Sequence, residues 1–172
     1  GKALASRQRC YWKVKLWDGN GRECAWSEAA AWSMGLLDPS DWQGAYIGMD
    51  AAQGNPQSPW LRQTFELGEK PADARVYVNP LGYCELYVNG ERADEAPLSP
   101  AVTQFNKRSF YLTHDVTAFL REGTNSIALW MGRGWYQEGL PGVACKGPLV
   151  RAQLEADLRP GGRDRPGTAT RV

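Results

Sequence analysis

Across residues 11–17 apolar and polar positions alternate, with Trp12, Val14 and Leu16 on one face and Lys13 and Lys15 on the other. A period of two predicts a half-buried β-strand. Asp18-Gly19-Asn20-Gly21 follows, a run that tolerates positive φ, so the chain is expected to reverse there into a second strand around 23–34. Two strands cannot enclose a core by themselves. Residues 1–37 are therefore read as a two-stranded ribbon from a truncated β-sandwich. The stretch 35–42 breaks the alternation and is expected to be a linker, with Asp38 kept extended by Pro39. Residues 51–59, polar with glycine and proline, are expected to form a surface loop.

The rest of the chain keeps to short runs of strand character at 61–67, 74–78, 83–88, 110–112, 126–131 and 149–158. Asn89-Gly90 has the sequence of a tight hairpin turn. Asp115 is placed to cap a single helical turn running to Leu120, its carboxylate accepting from free amides, and Gly123 suits the end of that turn. No long amphipathic helix is predicted. The fold class is all-β, an antiparallel β-sandwich or jelly roll over residues 38–172. Residues 159–167 begin as a turn, and 168–172 read as the start of one more strand, so the domain is expected to be incomplete at its C-terminal side.

Composition narrows this picture. Hydrophobic content of 42% suffices for a packed core. Eight Trp accompany seven Tyr and four Phe. Core filling in sheets is the first reading of so many tryptophans, and stacking against sugars is the second. A net charge of +1 leaves no electrostatic footprint for nucleic acid or an anionic membrane. Cys10, Cys24, Cys84 and Cys145 lack CxxC spacing, and with one histidine, His114, a zinc site is not indicated. Cys10 and Cys24 fall where they would face each other across the ribbon, but free buried thiols are the preferred state. No apolar run reaches the roughly 18 residues of a membrane span. The chain opens on Gly1, so the lack of a signal peptide carries little weight, and the compartment stays open.

Several motifs carry a resemblance. Tyr11-Trp12-Lys13-Val14-Lys15-Leu16-Trp17-Asp18, Trp26-Ser27-Glu28, Gly35-Leu36-Leu37, Asp41-Trp42 and Tyr46-Ile47-Gly48 resemble the N-terminal part of bacterial α-L-rhamnosidases. There a fibronectin-like sandwich ends and a jelly-roll domain of galactose-binding-like type begins. Leu61-Arg62-Gln63-Thr64-Phe65, Val88-Asn89-Gly90, Asp115-Val116-Thr117, Gly123-Thr124-Asn125 and Gly132-Arg133-Gly134-Trp135-Tyr136 look like that second domain. The resemblance runs from about Cys10 to Leu158. The part around Asn89-Gly90 and Asp115-Val116-Thr117 is shared with sugar-binding domains of β-galactosidase-like enzymes. Residues 11–48 and Gly134-Trp135-Tyr136 favour the rhamnosidases.

The resemblance implies a division of labour. In the family, inverting hydrolysis belongs to acidic residues of an α/α-barrel that follows in sequence, and an inverting glycosidase needs an acid and a base flanking the scissile bond. Glu66, Glu69, Glu85, Glu91, Asp94 and Glu95 are read as solvated edge charges, so no catalytic residue is expected here. The expected partners are that barrel and rhamnose-containing glycans. A lectin-like module and the sugar-binding domain of a β-galactosidase-like hydrolase are the alternatives. Trp135 and Tyr136, after a Gly-Arg-Gly bend, and Asn89 are the candidate carbohydrate-binding residues, with sealing of a domain contact the competing role for the two rings. No cofactor is required. Some relatives hold rhamnose through calcium, whose oxygen ligands Asn79, Asn89, Asp94, Asn106 and Asn125 are able to supply, although no metal ligand is assigned. Asn89 and Asn125 also read as turn residues, and His114 as a strand-end residue. Where the family commonly carries a Trp, Val102 stands in this chain.

Overall fold

The computed structural model describes residues 2–49, 58–137 and 147–158, and the chain divides into two compact units, Gly1–Gln43 and Gly44–Val172. In the first, β1 (Arg9–Trp12) pairs antiparallel with β2 (Ala30–Ser33), with Cys10 opposite Trp32. The chain reverses at the expected place. Gly21, at φ 79°, donates its N–H to the Asp18 carbonyl, and the Asp18 carboxylate accepts from the amides of Asn20 and Arg22. Trp17 bridges Glu23, and the Cys24 N–H donates to the Leu16 carbonyl. The two limbs then fall out of step. Four residues lead from Trp12 to Leu16, but six lead from Cys24 to Ala30 on the limb opposite. Two surplus residues interrupt the ladder, so the strands expected over 11–17 and 23–34 are regular only near their open ends.

The expected burial of this ribbon is corrected too. Within the chain, Trp12 (52%), Val14 and Leu16 (62%) are all exposed. Cys10 is half-buried, Cys24 is exposed, and both are free thiols, because the register places Trp32 rather than Cys24 opposite Cys10. The stretch 35–42 holds a local turn next to the boundary between the units. Pro39–Asp41 form a 3-10 turn whose N-cap Asp38 is extended (φ −111°, ψ 139°) and accepts from the Ser40 amide, while Asp41 accepts from the Asp38 amide. Asp41 also takes a hydrogen bond from Ser6 and an ion pair from Arg7 at 2.7 Å, tying the turn to the start of the unit.

The second unit is a sandwich of two four-stranded antiparallel sheets. One contains β3 (Ile47–Gly48), β10 (Leu149–Asp157), β5 (Asp73–Leu81) and β8 (Leu112–Asp115), in that order. The other contains β4 (Trp60–Leu67), β9 (Gly123–Gly132), β6 (Tyr83–Val88) and β7 (Glu91–Arg92). Among the described strands, consecutive ones lie in different sheets except at the β6–β7 hairpin, where Asn89 (φ 52°) and Gly90 (φ 88°) both take positive φ, the geometry of a type I′ turn. The expected antiparallel sandwich is the observed one. The β5–β6 crossing spends a single residue, Gly82 at φ 123°. A Cβ there would sit 2.3 Å from the Gly132 carbonyl oxygen, so only glycine lets the two backbones approach.

Side-chain alternation fills the space between the sheets. Val76 and Val78 from β5 and Val150 and Leu154 from β10 meet Leu86 and Val88 from β6 and Ile127, Leu129 and Met131 from β9. Cys84 joins them, and its burial pushes the thiol up to about 12, where it stays protonated at neutral pH. No tryptophan is buried: seven of the eight are exposed and Trp42 is intermediate. The expectation that they fill the core therefore fails. On the strands of the sandwich they occupy the outward parity, and aliphatic side chains take the inward one.

The strand expected at 110–112 lies instead at Leu112–Asp115, so His114 is inside it, largely buried and opposite Val76. Burial lowers its pKa, opposed by Asp94, whose carboxylate lies 3.8 Å away. The helical turn expected up to Leu120 spans Thr117–Phe119, with Val116 rather than Asp115 at the N-cap. The Asp115 carboxylate still accepts from the Thr117 amide and hydroxyl. The expectations for Cys145, for most of 51–59 and for 159–172 lie outside the described residues.

Candidate functional site

Asn89 and the pair Trp135–Tyr136 occupy opposite ends of the sheet. Asn89 meets the start of β9, where its carbonyl oxygen accepts from the Ser126 amide at 2.8 Å. Trp135 and Tyr136 lie beyond the end of that strand, in a 3-10 turn at Gly134–Gln137. The stretch of β9 from Ser126 to its end at Gly132 is ~20 Å of extended strand, so these residues do not share one sugar site. Tyr136 is buried (7%), its ring edge-on to Phe105 at 5.3 Å, while Trp135 is 55% exposed. Tyr136 thus braces the 101–110 loop, and Trp135 alone presents a ring to solvent.

Asn89 is the keystone of a part-buried amide network. Its Nδ2 donates to the Phe119 carbonyl (2.8 Å) and to Oδ1 of Asn125 (2.9 Å). Asn125, 1% exposed, donates to the carbonyls of Arg121 and Gly123 and accepts from the Arg121 amide. Both Nδ2 hydrogens and the carbonyl oxygen of each amide find partners, which is what allows Asn125 to be buried and Asn89 half-buried. Asn79 is likewise engaged, accepting from the Tyr46 hydroxyl and donating to the Phe110 carbonyl at 2.7 Å. Among the described residues, no three or more His, Cys, Asp or Glu side chains gather as a metal group.

Next to Asn89 lies a feature that the sequence reading did not single out. The outward face of the β4–β9–β6 sheet carries an open groove of about 500 Å³. Trp60 stands opposite Trp130 in the ladder, and their rings stack at 5.0 Å and 12°. Trp60 also leans towards Tyr87 at 5.1 Å, and Trp60 and Trp130 remain 51% and 40% exposed. Ala128, between Arg62 and Tyr87 in register, and Ser126 beyond it keep the floor low. Arg62 and Arg121 line the groove with them. The Tyr87 hydroxyl donates to Glu85 at 2.8 Å, an interaction that raises its pKa, and Glu85 is paired with Arg92 at 3.0 Å. The available signal was parity. Trp60 and Arg62 sit two residues apart on one strand, but single-strand alternation does not reveal that Tyr87 and Trp130 fall beside them.

Three of the six acids read as edge charges are engaged locally. Glu66 accepts from Thr124 at 2.6 Å, Glu85 from Tyr87, and Asp94 from the Ala96 amide. The fold is thus a β-sandwich unit with an outer-face groove, preceded in sequence by a β-ribbon. The model of the α-L-rhamnosidase N-terminal domain matches residues 69–156, just over half of the sequence, and the chain belongs to that family. The Rha78A-like N-terminal immunoglobulin domain matches residues 1–38.

An α-L-rhamnosidase of Formosa agariphila is 31% identical across 95% of this chain and 19% of its own length. Another, from Alteromonas sp. (strain LOR), is 32% identical across 90% and 18%. The solved α-L-rhamnosidase from Dictyoglumus thermophilum superposes with a TM-score of 0.81 at 28% identity, over 91% of this chain and 19% of that one. The chain spans about a fifth of the length of these relatives. It corresponds to an N-terminal, non-catalytic portion of them.

Proposed function

We propose that this chain is the accessory N-terminal segment of an enzyme that releases terminal α-L-rhamnose by inverting hydrolysis, and that it shapes or steadies a catalytic α/α-barrel following it in the same protein. The observation that carries this reading is the match of nearly the whole chain to about a fifth of curated α-L-rhamnosidases. The local commitment of Glu66, Glu85 and Asp94 supports it, because an inverting mechanism needs two carboxyl groups about 6.5–9.5 Å apart facing an open cleft. The first unit would complete an immunoglobulin-like sandwich with strands from elsewhere in that protein, a role that suits its exposed Tyr11, Trp12, Leu16 and Trp26.

The test is turnover of p-nitrophenyl α-L-rhamnoside. The purified chain is expected to be inert, and the full reading frame active and dependent on paired acids in the barrel. Robust turnover by the chain alone, or a reading frame without such a barrel, would overturn the proposal.

A further inference from the structure

We propose that the outer-face groove of the β4–β9–β6 sheet binds an anionic sugar, a pyranose bearing a carboxylate or a sulfate. This goes beyond the rhamnosidase reading and stands whether or not the parent protein releases rhamnose.

Two independent features of the groove point to this ligand. The first is the aromatic wall. The C–H-rich face of a pyranose stacks on an indole or phenol ring, and Trp60, backed by Trp130 and flanked by Tyr87, is held as such a platform. The cross-strand pairing that holds the two indoles together leaves them half exposed on the outer face, and low residues such as Ala128 leave room above the floor. The volume, about 500 Å³, falls within the 300–1,000 Å³ typical of small-molecule sites.

The second feature is charge. Among the described residues, neither Arg62 nor Arg121 forms an ion pair, and the groove lining contains no carboxylate. Arg121 spends only its Nε, on the Thr124 carbonyl at 3.3 Å. The nearby acids are already occupied, Glu85 by Arg92 and Tyr87, and Glu66 by Thr124. Glu66 is also four residues along β4 from Arg62, ~13 Å away on an extended strand. Two guanidinium forks beside a stacking platform suit a planar carboxylate or a sulfate, each able to take paired N–H donors. A neutral sugar would satisfy the platform and leave both charges unanswered.

The experiment is affinity electrophoresis of the full 172-residue chain in native gels containing polygalacturonate, dextran sulfate or neutral dextran. At least one anionic polymer is expected to retard the chain, and dextran is not. Retardation by polygalacturonate alone assigns a carboxylate as the anion, and by dextran sulfate alone a sulfate. Replacing both groove arginines, R62Q with R121Q, is expected to weaken retention about tenfold, as is raising the salt to about 0.5 M. Trp60→Ala should weaken it as well. The charge-matched control, K107Q with R108Q, exposed residues of the 101–110 loop that do not line the groove, should retain binding. Circular dichroism confirms that each variant is folded. Equal retardation by dextran, no retardation by either anionic polymer, or equal loss in the control and groove variants would overturn the proposal.

Discussion

Asn125 shows how much one side chain can decide. It is buried, yet its four hydrogen bonds join the β6–β7 turn at Asn89 to the backbone of Arg121 and to Gly123 at the start of β9. Replacing it with Leu removes two donors and an acceptor and leaves the Arg121 amide, the Gly123 carbonyl and Asn89 without their partners. An unpaired buried polar group costs ~1–3 kcal/mol, and several arise together, so Asn125→Leu is expected to lose about 3 kcal/mol or more in urea unfolding. Thr124→Ala, one position away with its hydroxyl on exposed Glu66, should lose less than ~1 kcal/mol and serves as the comparison. The tryptophans give the residue-scale counterexample. Their number suggested core, but burial depends on parity within a strand, and Trp60 and Trp130 point outward.

At the scale of elements, the corner at Gly82 and the 3-10 turn at Asp41 make two further claims. Gly82→Ala brings a Cβ within 2.3 Å of the Gly132 carbonyl and 2.8 Å of the Arg133 carbonyl, at a φ that L-residues avoid. The cost should exceed ~3 kcal/mol, read as a drop in denaturation midpoint with unchanged slope. Gly90→Ala, with positive φ but open space, should cost only ~1–2 kcal/mol.

Asp41 is held down to about 2 from 3.8, first by the Ser6 hydroxyl, then by the Asp38 amide and the Arg7 guanidinium. The folded state therefore binds this proton less readily than the unfolded chain. The stabilisation is complete above about pH 4 and is lost as the pH falls towards 2. Asp41→Asn removes this contribution. The stability difference between the parent chain and the variant, measured by denaturant titration at each pH, should shrink over that window. A constant difference would refute the assignment.

The whole molecule is two units of unequal self-sufficiency. The sandwich encloses its own aliphatic core. The ribbon leaves Tyr11, Trp12, Leu16, Trp17 and Trp26 exposed, and a two-stranded ribbon has no second layer with which to cover them. On the proposal that residues 1–38 share an immunoglobulin-like sandwich with strands from elsewhere in the protein, a longer chain containing those strands should show tryptophan emission shifted to the blue. Trp12→Phe should diminish that shift. An extended chain with the emission maximum of the present one would count against a shared sandwich.

The sequence alone determined what depends on neighbours along the chain. Alternation marked β4, β6, β9 and β10, positive-φ residues placed the turns at Asp18–Gly21 and Asn89–Gly90, and the ordered motifs pointed to the family. Tertiary structure decided everything that needs two distant segments at once. It brought Trp60, Tyr87 and Trp130 onto one face, set Asn89 into a network with Asn125, separated Trp135 from Asn89, and left the ribbon's apolar positions in solvent. Local pattern reports the side of a strand on which a residue lies. Which strands become neighbours, and which face is covered, is set by long-range pairing that no short window of sequence contains.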